Sequence, residues 1–261
     1  MLEILYRDEH LVAVHKPAGL LVHRSDLDRH ETRFAVQLLR DQIGRHVHPV
    51  HRLDKGTSGV LLFALDAGSA SIVGGQFERD EISKRYLAIV RGWPPESGLI
   101  DHALSRRFDD YGRKLAPEDR PPPLAAITTF RRLGIVEIAE QVERYPQSRY
   151  ALLELAPKTG RQHQLRRHLK HIAHPIIGDA TWGKGVHNRF FQQRYGCNRL
   201  LLACTRLELR HPHSDLPLRI DAAPEASFAA VVAALGWAEC SVGPEVGAGD
   251  TAPCPAPEES R

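Results

Sequence analysis

Six consecutive apolar residues, Val60-Leu61-Leu62-Phe63-Ala64-Leu65, follow without a break on His51-Arg52-Leu53-Asp54-Lys55-Gly56-Thr57-Ser58-Gly59. A run this short falls well below the roughly 18 residues of a membrane helix and reads as a buried strand. The stretch before it holds two glycines, a threonine and a serine, which makes it a turn-rich loop. A loop fused to a buried strand is anchored at one end, so the side chains it carries are held stiffly. Any sheet built by this chain therefore has this strand inside it and this loop at its end.

The rest of the first half alternates strands and helices. Glu3–Tyr6 and Leu11–His15 read as strands, the second running into the turn Lys16-Pro17-Ala18-Gly19. Thr32–Ile43 carries Phe34, Leu38 and Leu39 at helical spacing and is closed by Gly44. Ala67–Arg79 reads as a helix in spite of Gly74 and Gly75. In Arg85–Arg91 apolar residues occupy both alternating faces, the pattern of a strand covered on both sides. A polar, proline-rich loop, Arg113–Pro123, precedes strands at Ile127–Ile138 and Tyr150–Leu155. Arg161–Ala173 is the clearest helix, Leu200–Arg210 a further strand and Ala223–Leu235 a last helix. This mixture predicts an α+β fold around a mixed, largely antiparallel sheet. One domain over residues 1–237 is expected, and the Gly-, Pro-, Ala- and Glu-rich residues 238–261 are expected to be a disordered tail.

Charge divides along the same boundary. The formal net charge is +3, but the last 24 residues hold five acids and one base, which leaves 34 basic against 27 acidic residues before them. A basic body suits a polyanionic partner. The N-terminus has no basic region followed by an apolar run, so no secretory signal is expected and the chain is placed in the cytoplasm, with no membrane partner. Cys197, Cys204, Cys240 and Cys254 show no paired spacing and are expected to be reduced.

Two features carry chemistry. Asp54 lies between Arg52 and Lys55, and nearby cations favour an ionised carboxylate suited to covalent attack; composition alone equally allows an Asp that caps a turn. On Arg161–Ala173, Leu165, Leu169 and Ile172 form a core-facing stripe, while Arg161, Arg166, Arg167 and Lys170 are uninterrupted by any acid. A solvated helix face usually mixes signs, so this one suits phosphates, with Arg166 beside Leu165 and able to border the core. His163, His168, His171 and His174 lack a nearby Glu or Cys, and the interleaved arginines oppose a cation; no metal is expected, and the histidines are read as hydrogen-bonding and stacking surface for RNA. No nucleotide-binding glycine loop is present, and no cofactor is expected.

Taken as a whole string, H-R-L-D-x-x-T-S-G-x-L-L over His51–Leu62 resembles the catalytic motif of the RluA-type pseudouridine synthases, which isomerise uridine in ribosomal and transfer RNA. Lys84-Arg85-Tyr86-Leu87-Ala88-Ile89-Val90-Arg91-Gly92 resembles the second motif of that family. Thr159 to Leu169, with Gln164-Leu165-Arg166 at its centre, resembles the third, and His174-Pro175-Ile176-Ile177-Gly178-Asp179 continues it. Glu3-Ile4-Leu5-Tyr6, Lys16-Pro17-Ala18-Gly19 and Leu21-Val22-His23-Arg24-Ser25 are similar to the C-type branch, which acts on uridine 65 in the T-stem of tRNA and starts directly in the catalytic domain.

The resemblance implies the pseudouridine synthase fold and three catalytic residues. Asp54 is the catalytic aspartate, Tyr86 lies against the target base, and Arg166 pairs with Asp54. It implies that Arg52 helps turn the base out of the stack. Lys84, Arg161, His163, Leu165, Arg167 and Lys170 are placed on the RNA-binding side. The expected enzyme is a cofactor-free, monomeric isomerase of structured RNA, tRNA before ribosomal RNA. A non-catalytic RNA-binding protein, or a metal-dependent phosphatase with an Asp nucleophile, are the alternatives.

Overall fold

The structure, a computed structural model, describes residues 1–23, 31–108 and 113–239. Ten strands form one sheet in the order β1 (Glu3–Arg7), β2 (Leu11–Lys16), β4 (Ser58–Ala64), β9 (Leu202–Arg210), β5 (Ser83–Arg91), β8 (Ser148–Pro157), β7 (Ile127–Ile138), β6 (Ser97–Asp101). The two-residue β3 (His48–Pro49) adds to β4, and β10 (Pro217–Asp221) adds to β9. Every pairing is antiparallel except β4 with β9, which meet in parallel through Ser58↔Ala203 and Gly59↔Cys204. The expected mixed, largely antiparallel α+β architecture is the one found.

Period-two alternation explains how the sheet is buried on both faces. On β5, Tyr86, Ala88 and Val90 enter one core and Leu87 and Ile89 the other; on β8, Ala151, Leu153 and Leu155 oppose Tyr150 and Leu152 in the same way. All seven residues of β4 are buried, as its uniform run demands. The first core also takes Leu39 from α1 (Ala35–Ile43), Val73 from α2 (Ala67–Glu78), and Leu165 and Leu169 from α3 (Gln164–His171). The second is covered by Phe191 from α4 (Gly185–Tyr195), and by Phe228, Val231 and Val232 from α5 (Ala226–Ala234). At about 1.5–3 kcal/mol for each fully buried large apolar side chain, these contacts, rather than helix propensity, hold the helices in place.

Local chemistry sets the helix ends. Gly44 closes α1 in the left-handed conformation (φ 67°), its amide donating to the Arg40 carbonyl. Asp66 caps α2 by accepting from the Ser69 amide at 2.8 Å, and the helix tolerates Gly74 and Gly75. Helix α3 is shorter than its sequence pattern: His163 takes a left-handed conformation (φ 53°) and regular helix starts only at Gln164. Ile172, the last member of the stripe, is half-buried. Beyond the expected elements the chain forms β3, β6, α4 and β10, and the Arg113–Pro123 loop holds a short 3-10 turn at Pro117–Asp119. Cys197 and Cys204 are buried free thiols. No helix among the described residues is long and apolar enough to cross a membrane. Residues 240–261, with Cys240 and Cys254, and Arg24-Ser25 of the N-terminal motif, lie outside the described residues.

Candidate active site

The loop before β4 is fastened from several sides. The Lys55 carbonyl accepts from the Gly19 amide (2.8 Å) and from the Lys16 ammonium (3.2 Å), which also donates to the Pro17 and Leu20 carbonyls. The Asp54 carbonyl accepts from the Thr57 amide at 3.0 Å, and Arg199 Nη2 donates to Ser58 Oγ at 2.7 Å. His51 Nε2 accepts from the Leu62 amide at 3.0 Å, with its ring stacked on Phe77. At the junction with β4, Gly59 (φ 108°) lies so close to β9 that a Cβ there would stand 1.9 Å from the Cys204 carbonyl oxygen. Only glycine fits.

This stiff loop forms one wall of a cavity of about 550 Å³. Eight of the ten expected site residues line it: Arg52, Asp54, Lys84, Tyr86, Arg161, His163, Leu165 and Arg166. They arrive from the β3–β4 loop, β5 and the start of α3. Gln164 organises that last segment: its Oε1 accepts from the Thr159 hydroxyl (2.8 Å) and the Arg161 amide (2.9 Å), and its Nε2 donates to the Ile127 carbonyl (3.0 Å).

Arg166 sits between two carboxylates. Its Nη1 donates to Asp54 Oδ2 at 2.8 Å, while Nε and Nη2 grip Asp179 Oδ2 and Oδ1 at 2.7 and 2.9 Å. Asp179 is 2% exposed, and its Oδ1 also accepts from the Thr181 and Trp182 amides, both at 2.9 Å. Burial alone would raise the Asp179 carboxyl, but the Arg166 hydrogen bonds and charge, with those amides, outweigh it and hold the pKa below the ordinary carboxylate value. Burial works against the Arg166 cation, and Asp179 and Asp54 together more than reverse this. Asp54 itself is about one-third exposed, facing the cavity.

His163 bridges the site to its surroundings. Its Nδ1 accepts from Trp182 Nε1 at 3.1 Å, so the ring is neutral with its proton on Nε2, which lies 3.9 Å from Asp54 Oδ2. Burial, with Arg166 among its neighbours, lowers the His163 pKa and favours that neutral form. Tyr86 is 9% exposed at the cavity wall, and burial keeps its phenol pKa well above the usual value. Burial likewise lowers the Lys84 pKa. Arg52 is exposed at the cavity mouth.

Two expected residues stand elsewhere. Arg167 does not face outward: it is 9% exposed, and its Nη1 donates to the Ser105 carbonyl at 2.8 Å, because α3 turns it under the loop that follows β6. Lys170 is exposed one turn further on, outside the cavity. His168 is wholly buried, bonded to Thr128 Oγ1 and the His102 carbonyl, so it packs the helix instead of offering a surface to RNA. Among the described residues, His10, Asp66 and His213 could gather ligand atoms around a metal, at the far end of β4 from Asp54 and on residues the sequence reading left aside. The sequence reading gave Asp179, His51 and Trp182 no role; their importance lies in contacts across the fold.

A family model described as RNA pseudouridylate synthase matches residues 10–171, which run from β2 to the end of α3. The tRNA pseudouridine synthase C of Vibrio cholerae is 48% identical over 239 residues, covering 92% of this chain and 98% of that protein. Human RNA Pseudouridylate Synthase Domain Containing 1 has a solved structure that superposes with a TM-score of 0.66 at 25% identity, over 87% of this chain and 86% of its own. For human RNA Pseudouridylate Synthase Domain Containing 4 the TM-score is 0.65 at 26% identity, over 90% and 93%. Matched sequence and superposed structures agree, and the chain belongs to the RNA pseudouridylate synthase family.

Proposed function

We propose that this protein isomerises uridine to pseudouridine in tRNA, at position 65 of the T-stem, with Asp54 as the nucleophile. The observation that carries the reading is the Asp54 carboxylate held by Arg166 at 2.8 Å in the wall of a cavity that also holds Tyr86. The name and high identity of the Vibrio cholerae relative support the choice of tRNA.

The reaction breaks the bond between C1′ and N1, turns the uracil and joins C1′ to C5; C5 releases a proton and N1 takes one up. A base inside a duplex is out of reach, so the nucleotide must first be turned out of the stack, at a cost of a few kcal/mol. Arg52, exposed at the mouth, is placed to occupy the space it leaves. Arg166 and His163 both address Asp54 Oδ2, which leaves Oδ1 for attack on the nucleotide, at C1′ or at C6. Tyr86, a neutral phenol in its buried setting, offers a flat face to the uracil; action as a base towards C5 would require the phenolate that burial disfavours. Arg161 and Lys84 add positive charge along the path of the backbone. The isomerisation needs no redox or metal cofactor, and the enzyme is read as a cytoplasmic monomer.

Asp54→Asn tests the assignment. Pseudouridine formation on a transcribed tRNA should fall below detection, while affinity for that RNA stays within about threefold, under half of the 1.4 kcal/mol that marks a tenfold change. Turnover retained by the variant would remove Asp54 from the chemistry. Mapping pseudouridine in total RNA from cells with and without the gene should show one missing tRNA site; a missing ribosomal RNA site would reassign the substrate.

A further inference from the structure

Beyond His163, on the side away from Asp54, several cations crowd around one indole. The guanidinium carbons of Arg107 and Arg167 lie 5.2 and 5.6 Å from the centre of the Trp182 ring, and the Lys170 ammonium lies 5.5 Å from it. Arg120 acts on Arg167 as a further like charge. Arg107 and Arg120 come from the long connection between β6 and β7, and Arg167 and Lys170 from α3, so folding rather than sequence proximity has assembled them.

Among the described residues the cluster lacks a carboxylate partner. Arg91, Arg166, Arg199 and Arg206 each meet a carboxylate. Among the described residues, no carboxylate forms an ion pair with Arg107, Arg120, Arg167 or Lys170. The Nε atoms of Arg107 and Arg120 are shut off from solvent and have no acceptor. Burial, followed by the charges of Arg107 and Arg120, pulls the Arg167 pKa down to about 10. Like charges gathered without a carboxylate are unfavourable, and an oxyanion bearing several acceptors would offset them through the parts of Arg107, Arg120 and Lys170 that do reach solvent.

We propose that Arg107, Arg167 and Lys170, gathered on Trp182, together with Arg120, whose charge acts on Arg167, form a notch that receives one backbone phosphodiester of the RNA beside the nucleotide turned into the cavity. This rests on the reading of the protein as an enzyme acting on tRNA. A single imidazole separates notch from nucleophile, since His163 contacts Trp182 through one nitrogen and faces Asp54 through the other. The occupant of the notch is therefore a phosphate flanking the target, not one remote from it.

The test is the salt dependence of binding to a transcribed tRNA, followed by fluorescence anisotropy. Each lost phosphate contact should weaken binding and make the slope of log K against log salt shallower by about 1. Arg107→Gln and Arg120→Gln should each do so, while Arg120→Lys, which keeps the charge, should retain the wild-type slope. Arg194→Gln, which removes a surface partner of Glu140 on α4, should leave the slope unchanged. Wild-type slopes in both glutamine variants, or equal behaviour of Arg120→Gln and Arg120→Lys, would overturn the notch. If the wild-type enzyme binds this RNA with a notch-dependent slope but makes no pseudouridine in it, the substrate assignment fails and the notch stands. Conversion together with unchanged slopes overturns the notch alone.

Discussion

Arg166 divides one guanidinium between two carboxylates of different character. Asp179 is buried and gripped at two points, which fixes the plane of the fork; Asp54 is open to the cavity and receives the remaining donor. With Asp54 as the proposed nucleophile, Asp179 is a positioning residue that acts on it through Arg166. Asp179→Asn keeps the shape but puts an amide against a cationic donor. It should cost about 3 kcal/mol of stability, as expected when a buried pair loses one partner, and lower kcat about tenfold or more with RNA affinity preserved. Denaturant unfolding and single-turnover assays would check both, and an unchanged kcat would reduce Asp179 to a structural role. At this scale the sequence exposed Asp54, Tyr86 and Arg166, because each stands inside a contiguous motif. It included Asp179 in a matching string without a role, because that role depends on a hydrogen bond spanning 13 positions. The surroundings of Arg167 were hidden for a related reason: helical spacing places it on a face, but only the neighbouring loop decides what covers that face.

The loop that carries Asp54 behaves as an element tied to the strand it precedes, and His51 is one of the ties. Its Nε2 must be unprotonated to accept from the Leu62 amide. Burial, with Lys84 nearby, lowers its pKa to about 3. In the unfolded chain the ring titrates near 6.5, so between those values the unfolded state binds the extra proton. The contribution of this contact is complete above about pH 6.5 and is lost progressively as the pH falls towards 3. Urea unfolding at pH 7.5 and 5.0 should show stability falling with acidity, and His51→Leu should make that fall smaller. An identical fall in wild type and variant would show that the ring carries no such linkage. Among elements, β4, β5, β7 and the body of α3 were legible because unbroken apolar or alternating runs admit one reading. β6 and β10 escaped notice because each is only five residues long, and an alternation with one half-buried and one buried position, Gly98 and Ile100 or Leu218 and Ile220, is too short to stand out. α4 buries only His187 and Phe191, one turn apart, on an otherwise polar segment.

The whole molecule is a sheet with a core on each face, and the second core closes at Trp237. That residue is 2% exposed, lies against Gly134, and donates from Nε1 to the Ile135 carbonyl at 3.3 Å. We propose residues 1–237 as the complete catalytic unit. Ending the chain after Trp237 should leave the unfolding midpoint unchanged, whereas ending it at Leu235 should cost about 3–5 kcal/mol, the usual penalty for deleting a large buried aromatic. A drop in the midpoint on the first cut would show that later residues pack on the body. The α+β class could be read from the order of the elements, but the parallel contact of β4 with β9 could not, since it joins residues about 145 positions apart through two backbone pairs and a glycine. Pairings across so long a stretch form late, because chain closure must be completed before they repay it. A ribosome translating this message would therefore have made Asp54, Tyr86 and Arg166 well before β9, the strand that seats the loop of Asp54. Until that strand has been made, the loop that carries Asp54 lacks the neighbour that holds Gly59 and Ser58 in place.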